Sequence, residues 1–382
     1  MKFKKCVTKT PENTIMKHLN KPLPILLLLL TLIASAISCD AGDILAPTGR
    51  MTVARAAHSA TLLSDGKVLI AGGMQRSGAH TNSAELYDPA TGGFVATGNL
   101  NFNRSGHTAT RLPDGKILIA GGSNTEWLSS AEVYDPLTGA FTLTGNMSVR
   151  RGGAAATLLA DGKVLVTGGY DGNLHSGAEI YDPATGKFTV TGNMGAGRAA
   201  HTATLLSNGK VLITGGGANR NVLASAELYN PAAGVFTPTG SMKVVRHKHA
   251  AARLSNGDVL IIGGSDNRDW RGRYTSAEIY KPAAGTFSAV GSMSTARFKL
   301  PSAMTLLNNG AVFVAGGGTN AETYNPATNA FNLVKGEMDT ARFYSTATLL
   351  SDGRVLIVGG YNANIESSAS AWLYRQEDTK TS

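Results

Sequence analysis

One block of residues recurs seven times along this chain, and that repetition limits the fold more than any single motif. Each copy runs from an Arg through an apolar stretch and an Asp-Gly or Asn-Gly pair to a Gly-Gly pair, and after a variable gap it reaches a Tyr. The glycine pairs stand at Gly72/Gly73, Gly121/Gly122, Gly168/Gly169, Gly215/Gly216, Gly263/Gly264, Gly316/Gly317 and Gly359/Gly360. Their spacing of 43 to 53 residues is that of a propeller or a linear array, in which each unit buries its apolar face against the next. With 46 Gly among 382 residues and 16% charged residues, the chain suits an all-β fold dense in tight turns. No long amphipathic helical pattern interrupts it.

Each repeat divides into four short strands. In the first, Ala57 to Leu63 reads as strand a, Val68 to Ala71 as strand b, Ala84 to Tyr87 as strand c and Phe94 to Thr97 as strand d. Asp65-Gly66 joins a to b, and the same pair type returns at Asp114, Asp161, Asn208, Asn256, Asn309 and Asp352. Such pairs predict two-residue type I′ hairpins, whose central residues both take positive φ. Asp88-Pro89-Ala90-Thr91-Gly92 and its equivalents supply the tight turn from c to d. Four antiparallel strands per repeat make one propeller blade.

At this point the residues resemble the kelch and galactose oxidase type of β-propeller. The Gly-Gly pairs and the Tyr that follows each of them (Tyr87, Tyr134, Tyr181, Tyr229, Tyr280, Tyr324 and Tyr374) match the blade pattern of that family. Where kelch repeats usually place Trp, this chain has Phe94, Phe141, Phe188, Phe236, Phe287 and Phe331, a conservative core change. The resemblance implies a seven-bladed kelch-type β-propeller with four antiparallel strands per blade. It does not carry the copper chemistry of galactose oxidase, whose site uses a Tyr crosslinked to Cys, because the blades contain no Cys. No cofactor and no metal are expected.

The two ends of the chain bear on closure of the ring. Blade seven has a strand c at Ala369 to Tyr374 but no aromatic strand d after it. Leu45-Ala46-Pro47-Thr48-Gly49-Arg50-Met51 aligns with Phe236-Thr237-Pro238-Thr239-Gly240-Ser241-Met242, so the N-terminal segment is expected to supply the missing outer strand. Residues 1–38 read as a signal peptide or leader, 39–42 as a short tether, 43–375 as the propeller and 376–382 as a disordered tail. Six Lys precede the apolar run of the leader, and Met16 offers a second start. Cys39 after Ala36-Ile37-Ser38 resembles a bacterial lipoprotein box with Ala where Leu is usual, and is the lipidation candidate; cleavage after Ala34-Ser35-Ala36 would instead release the chain. Either route makes the protein extracytoplasmic, touching a membrane only through such an anchor. Six Lys and Glu12 give the leader +5, so the rest of the chain carries 9 − 5 = +4. That mild charge argues against a nucleic-acid partner, and a closed propeller is expected to be a monomer.

Two sets of residues recur with the blades. Arg55, Arg104, Arg151, Arg198, Arg246, Arg297 and Arg342 open strand a, while Glu85, Glu132, Glu179, Glu227, Glu278 and Glu322 begin strand c. Near-perfect stoichiometry favours structure, each Arg reaching over the side-chain-free Gly-Gly to its Glu. Blade seven breaks the pattern: Trp372 holds the Glu position, so Arg342 must stack on that ring, find another acid or face a ligand. His58, His107, His201 and His249 stand three residues after their Arg, but Ala154, Leu300 and Ser345 replace them in the other blades, which does not suit a zinc site.

The b–c loops and d–a connections vary and share one face, so function is expected there. From the second Gly of each pair to the Glu position the gaps are 12, 10, 10, 11, 14, 5 and 12 residues, which sets the long loop of blade five beside the short one of blade six. There the template breaks into Arg246-His247-Lys248-His249, Arg268-Asp269-Trp270-Arg271-Gly272-Arg273-Tyr274 and Arg297-Phe298-Lys299. Arg forks suit carboxylate, sulfate or phosphate, and aromatic faces suit sugar rings. The alternative is a solvated basic loop with Trp270 buried against a neighbour. Trp127, Tyr170, His175 and Tyr361 are weaker single candidates. No Ser/His/Asp set, metal cluster or phosphate loop is evident. The leading reading is therefore a non-catalytic binding or adhesion scaffold, whose partner is an acidic glycan or a protein. The alternatives are a sugar-active enzyme, since some bacterial kelch propellers resemble sialate mutarotases, with Asp269 as the best acid on offer, and a structural envelope protein.

Overall fold

The computed structural model describes residues 44–218 and 221–376. The expected leader, tether, Cys39 and all of the tail beyond Gln376 lie outside the described residues. Seven four-stranded antiparallel sheets follow one another. Blade one comprises Ser59–Leu62, Val68–Ala71, Ala84–Asp88 and Gly93–Ala96. Each strand b is buried on both faces and apolar save for the closing Thr167 and Thr214 of blades three and four, as Val68–Ala71 shows at 0 to 1% exposure, and such runs fill the layers between neighbouring blades. Among the described residues the only helical element is a single 3-10 turn, Asp269–Arg271.

The ring closes as expected. Ile44–Arg50 pairs with Ser370–Arg375 of blade seven, setting Leu45 opposite Tyr374 as Phe94 lies opposite Tyr87 in blade one. The repeated Thr-Gly dipeptide at the end of strand d joins neighbouring blades. Thr144 Oγ1 lies 2.9 Å from the Tyr181 hydroxyl of the next blade, and the following Gly145 donates its N–H to the Gly186 carbonyl at 2.8 Å. A Cβ on Gly145 would stand 2.4 Å from that carbonyl oxygen, so the contact requires glycine.

Two local expectations need correction. The Asp-Gly turns are not type I′, because Gly66 takes positive φ while Asp65 does not. Gly66 donates to the Leu63 carbonyl and Asp65 Oδ1 accepts from the Lys67 N–H, giving a β-turn followed by a left-handed glycine, the three-residue hairpin loop. Strand a also begins later than Ala57, at Ser59. The cause is Ala57 itself, which is left-handed at φ 51°.

That left-handed residue belongs to a ring. The position two after each repeat Arg has positive φ in every blade: Ala57, Gly106, Gly153, Ala200, Lys248, Lys299 and Tyr344. In this conformation the N–H turns towards the preceding blade. Gly106 donates to Ala57, Ala200 to Gly153, Lys248 to Ala200, Tyr344 to Lys299 and Ala57 to Tyr344, at 2.8 to 3.1 Å. A parallel circuit runs from the second Gly of each pair to the next Arg carbonyl and ends with Gly360 donating to Arg55 at 2.9 Å.

Candidate functional site

The repeated Arg side chains point into their own blades. Arg55 donates through Nη1 to the carbonyls of Gly72 (2.7 Å) and Ser83 (2.9 Å), and through Nη2 to Glu85 Oε1 at 2.8 Å. Glu85 also accepts the Thr52 N–H at 2.7 Å, tying the entering connection to strand c. The same pairs form at Arg104–Glu132, Arg151–Glu179, Arg198–Glu227, Arg246–Glu278 and Arg297–Glu322, all at 2.6 to 3.1 Å and almost fully buried. Arg246 and Arg297, ligand-binding candidates by sequence, are both 0% exposed, so a ligand on the variable face does not reach them. In blade seven the guanidinium of Arg342 lies 5.2 Å from the centre of the Trp372 ring and pairs with Asp339 at 2.5 Å. Two of the three options left open by the sequence are thus realised together, and both Arg342 and Trp372 are buried.

The histidines three residues further on lock blades together. His107 Nε2 meets Ser59 of the preceding blade at 3.0 Å, His201 Nε2 meets Thr167 at 2.8 Å, and His249 Nε2 lies between Thr202 and Thr214. Each ring also covers the first glycine of the preceding blade's pair; a Cβ on Gly72 would come within 2.9 Å of His107. Burial, helped by the neighbouring Arg, pushes His107 and His201 down to about 3, so the rings are neutral. They border a cavity of about 430 Å³ at the channel mouth, together with Ala60, Ala109, Ala156, Lys248 and Tyr344.

The side chains of the left-handed ring differ around that mouth. Four blades carry Gly or Ala there, whereas blades five, six and seven carry Lys248, Lys299 and Tyr344. Holding a bulky residue in this conformation costs roughly 1–3 kcal/mol, and such strain concentrates at functional positions. Lys248 donates to both oxygens of Asp269, at 2.8 and 2.7 Å. Asp269 is itself left-handed at φ 51°, and it also meets His247 Nε2 at 3.0 Å and Ser265 Oγ at 3.2 Å. Burial opposes charge on Asp269, but Lys248, His247 and Lys299 outweigh it and leave its carboxyl below the usual range. The best acid named from sequence is therefore an ionised partner of Lys248, not of Arg268 or Arg271.

Beside this cluster stands an aromatic wall. Trp270 packs edge-on against Phe298 (4.9 Å) and Phe343 (4.5 Å) yet keeps 39% of its surface exposed. Lys299 Nζ lies over it at 4.6 Å and donates to the Tyr361 hydroxyl at 2.7 Å. Burial, with Lys248 adding to it and Asp269 opposing, pushes Lys299 down to about 8. Of the remaining candidates, Arg268 is tied to Asp266 at 2.6 Å. Tyr274 lies under Arg246 with 5.5 Å between the guanidinium and the ring centre. Arg271 and Arg273 are exposed and form no ion pair among the described residues. On another part of the mouth Trp127 stacks edge-on with Tyr170 at 5.3 Å and covers Gly152.

The geometry thus brings together His247, Lys248, Asp269, Trp270 and Lys299 and leaves Arg271 and Arg273 on the outer side of the same loop. Sequence reasoning missed Tyr344, Phe343 and Ser265 and underweighted Tyr361. The signal was present at the position two after each Arg, where four small residues give way to Lys, Lys and Tyr.

The kelch motif matches residues 104–148 and 151–195, which are blades two and three. No curated protein matches the chain by sequence. Among solved structures, a fungal alcohol oxidase with catalytic diversity among the AA5 family, in complex with copper, is similar in fold. It has a TM-score of 0.70 at 18% identity, over 87% of this chain and 76% of its own. The donors here do not fit that metal: no Cys follows Cys39, and the mouth histidines bind Ser and Thr through Nε2. Among the described residues no three His, Cys, Asp or Glu side chains are grouped to hold a metal ion. Seven four-stranded blades, the motif in two of them and this shared fold make the chain a kelch-type β-propeller.

Proposed function

We propose that the protein is a non-catalytic binding scaffold which recognises an acidic ligand, most simply an acidic glycan, at the rim of the channel mouth on blades five to seven. The observation that carries this reading is the change at the left-handed ring from Gly and Ala in four blades to Lys248, Lys299 and Tyr344 in three consecutive ones. Arg271 and Arg273 add exposed guanidinium forks that no internal acid neutralises among the described residues. The half-exposed Trp270 offers a face on which a sugar ring stacks. The basic, apolar leader supports an extracytoplasmic site of action, with Cys39 as the attachment point for a lipid. Labelled fatty acid should enter the intact chain in bacteria and be absent from Cys39→Ser; equal labelling of both would overturn the anchor.

A glycan array probed with the protein at low and at physiological salt tests the ligand class. Binding should be confined to sulfated or carboxylated glycans, weaken with salt, and fall about tenfold or more in Arg271→Ala/Arg273→Ala, given the strength of charge-assisted pairs. Binding to neutral glycans that ignores salt and the double substitution would overturn it.

A further inference from the structure

Of the three bulky side chains of the left-handed ring, Lys299 alone is buried. It is 8% exposed and left-handed at φ 60°. Its Nζ sits 4.6 Å from the Trp270 ring centre, 4.8 Å from Phe298, 5.3 Å from Tyr361 and 6.0 Å from Tyr344. No ion pair of Lys299 occurs among the described residues, and its hydrogen bond goes to the neutral Tyr361 hydroxyl. Asp269, the acid that acts on it through space, is already held by Lys248 and His247. Aromatic faces stand where a structural lysine usually has a carboxylate, and burial favours the neutral amine. The other titratable groups facing it are Lys248 and the hydroxyls of Tyr344 and Tyr361.

We propose that Lys299 is a nucleophilic amine that captures the carbonyl of a small aldehyde, such as the open-chain form of a reducing sugar, as a reversible imine, with Tyr361 as proton donor. The Nζ lone pair adds to the carbonyl carbon, and the carbonyl π pair moves to oxygen, which takes the Tyr361 proton. Tyr361 is restored by the proton released from nitrogen. The carbinolamine then loses its hydroxyl with the second nitrogen proton as water and leaves a C=N bond. One aldehyde and one amine give one imine and one water, with no oxidant or reductant. Burial pushes Tyr361 up to about 12, which keeps it protonated at neutral pH. Trp270, part-exposed on its one-turn helix, puts one wall of this box in contact with solvent, with its ring centre 4.6 Å from the amine. This step does not rest on the anionic-ligand reading, because an uncharged aldehyde tests it without Arg271 or Arg273.

The test is reductive trapping of the full chain with glyceraldehyde and cyanoborohydride, followed by peptide mapping. At pH 7, labelling of Lys299 should run at least about tenfold faster than that of Lys67, whose side chain is 40% exposed, since lowering an amine's pKa raises its free-amine fraction. It should rise through pH 8 and vanish in Lys299→Arg. Tyr361→Phe should lower the pH 7 rate at Lys299 while leaving Lys67 unchanged. Labelling of Lys299 in the folded wild type no faster than Lys67, or only after denaturation, overturns the proposal without recourse to any variant.

Discussion

At the scale of single residues, the buried Arg–Glu pairs are the most demanding feature of the blades. Removing one partner leaves an uncompensated charge, so Arg104→Met should destabilise the protein by about 3–5 kcal/mol in chemical denaturation. Arg342→Met should lose less, because its partner Asp339 is 54% exposed and can rehydrate. The left-handed ring predicts the opposite sign elsewhere. Ala200 sits at φ 54° where two sister blades use Gly, so Ala200→Gly should stabilise the fold by about 1 kcal/mol. Histidines set a pH dependence. His107 and His201 are held at about 3 against an ordinary 6.5, so the unfolded chain binds more protons between those values and stability falls as pH drops below 6.5. Each accounts for about 2 kcal/mol at pH 5 relative to pH 7. The denaturation midpoint of His107→Asn/His201→Asn should therefore change less between pH 7 and pH 5 than that of the wild type. Parallel curves would contradict the neutral, buried assignment.

At the scale of elements, the sequence exposed the strand order and hid the turn geometry. The buried strand b runs such as Ile117–Ala120, and the Tyr–Phe pairs opposite one another, were legible because burial on both faces demands a near-continuous apolar run. Asp-Gly alone did not distinguish a two-residue from a three-residue loop, since both place Gly at positive φ; only Asp65 differs. The start of strand a was equally hidden, because Ala57 gives no sign of its left-handed backbone. Closure was legible from the alignment of Leu45–Met51 with an internal strand d. Replacing Leu45, 4% exposed and opposite Tyr374, by Asp should detach this strand and lower the melting temperature by several degrees, the scale of a lost core side chain. An unchanged melting temperature would show that the outer strand of blade seven contributes little.

At the scale of the whole molecule, sevenfold repetition builds a rigid ring and the departures from repetition mark its working side. The Arg–Glu pairs, the interblade histidines and the Thr-Gly contacts are the same chemistry in several blades, which is what structure requires. Lys248, Lys299, Tyr344, Asp269 and Trp270 each occur in one blade, and they meet at one sector of the mouth. That convergence was only half visible beforehand. The basic run of blade five stood out by composition, but Tyr344 and Tyr361 are separated from it by tens of residues and are brought near by the packing of consecutive blades five, six and seven. The most direct measurement is hydrogen–deuterium exchange of the protein with and without an acidic oligosaccharide that it binds. Protection should concentrate in peptides covering residues 246–249, 265–274 and 297–300. Protection confined to the opposite face, around the Asp-Gly turns, would contradict the assignment of function to this sector.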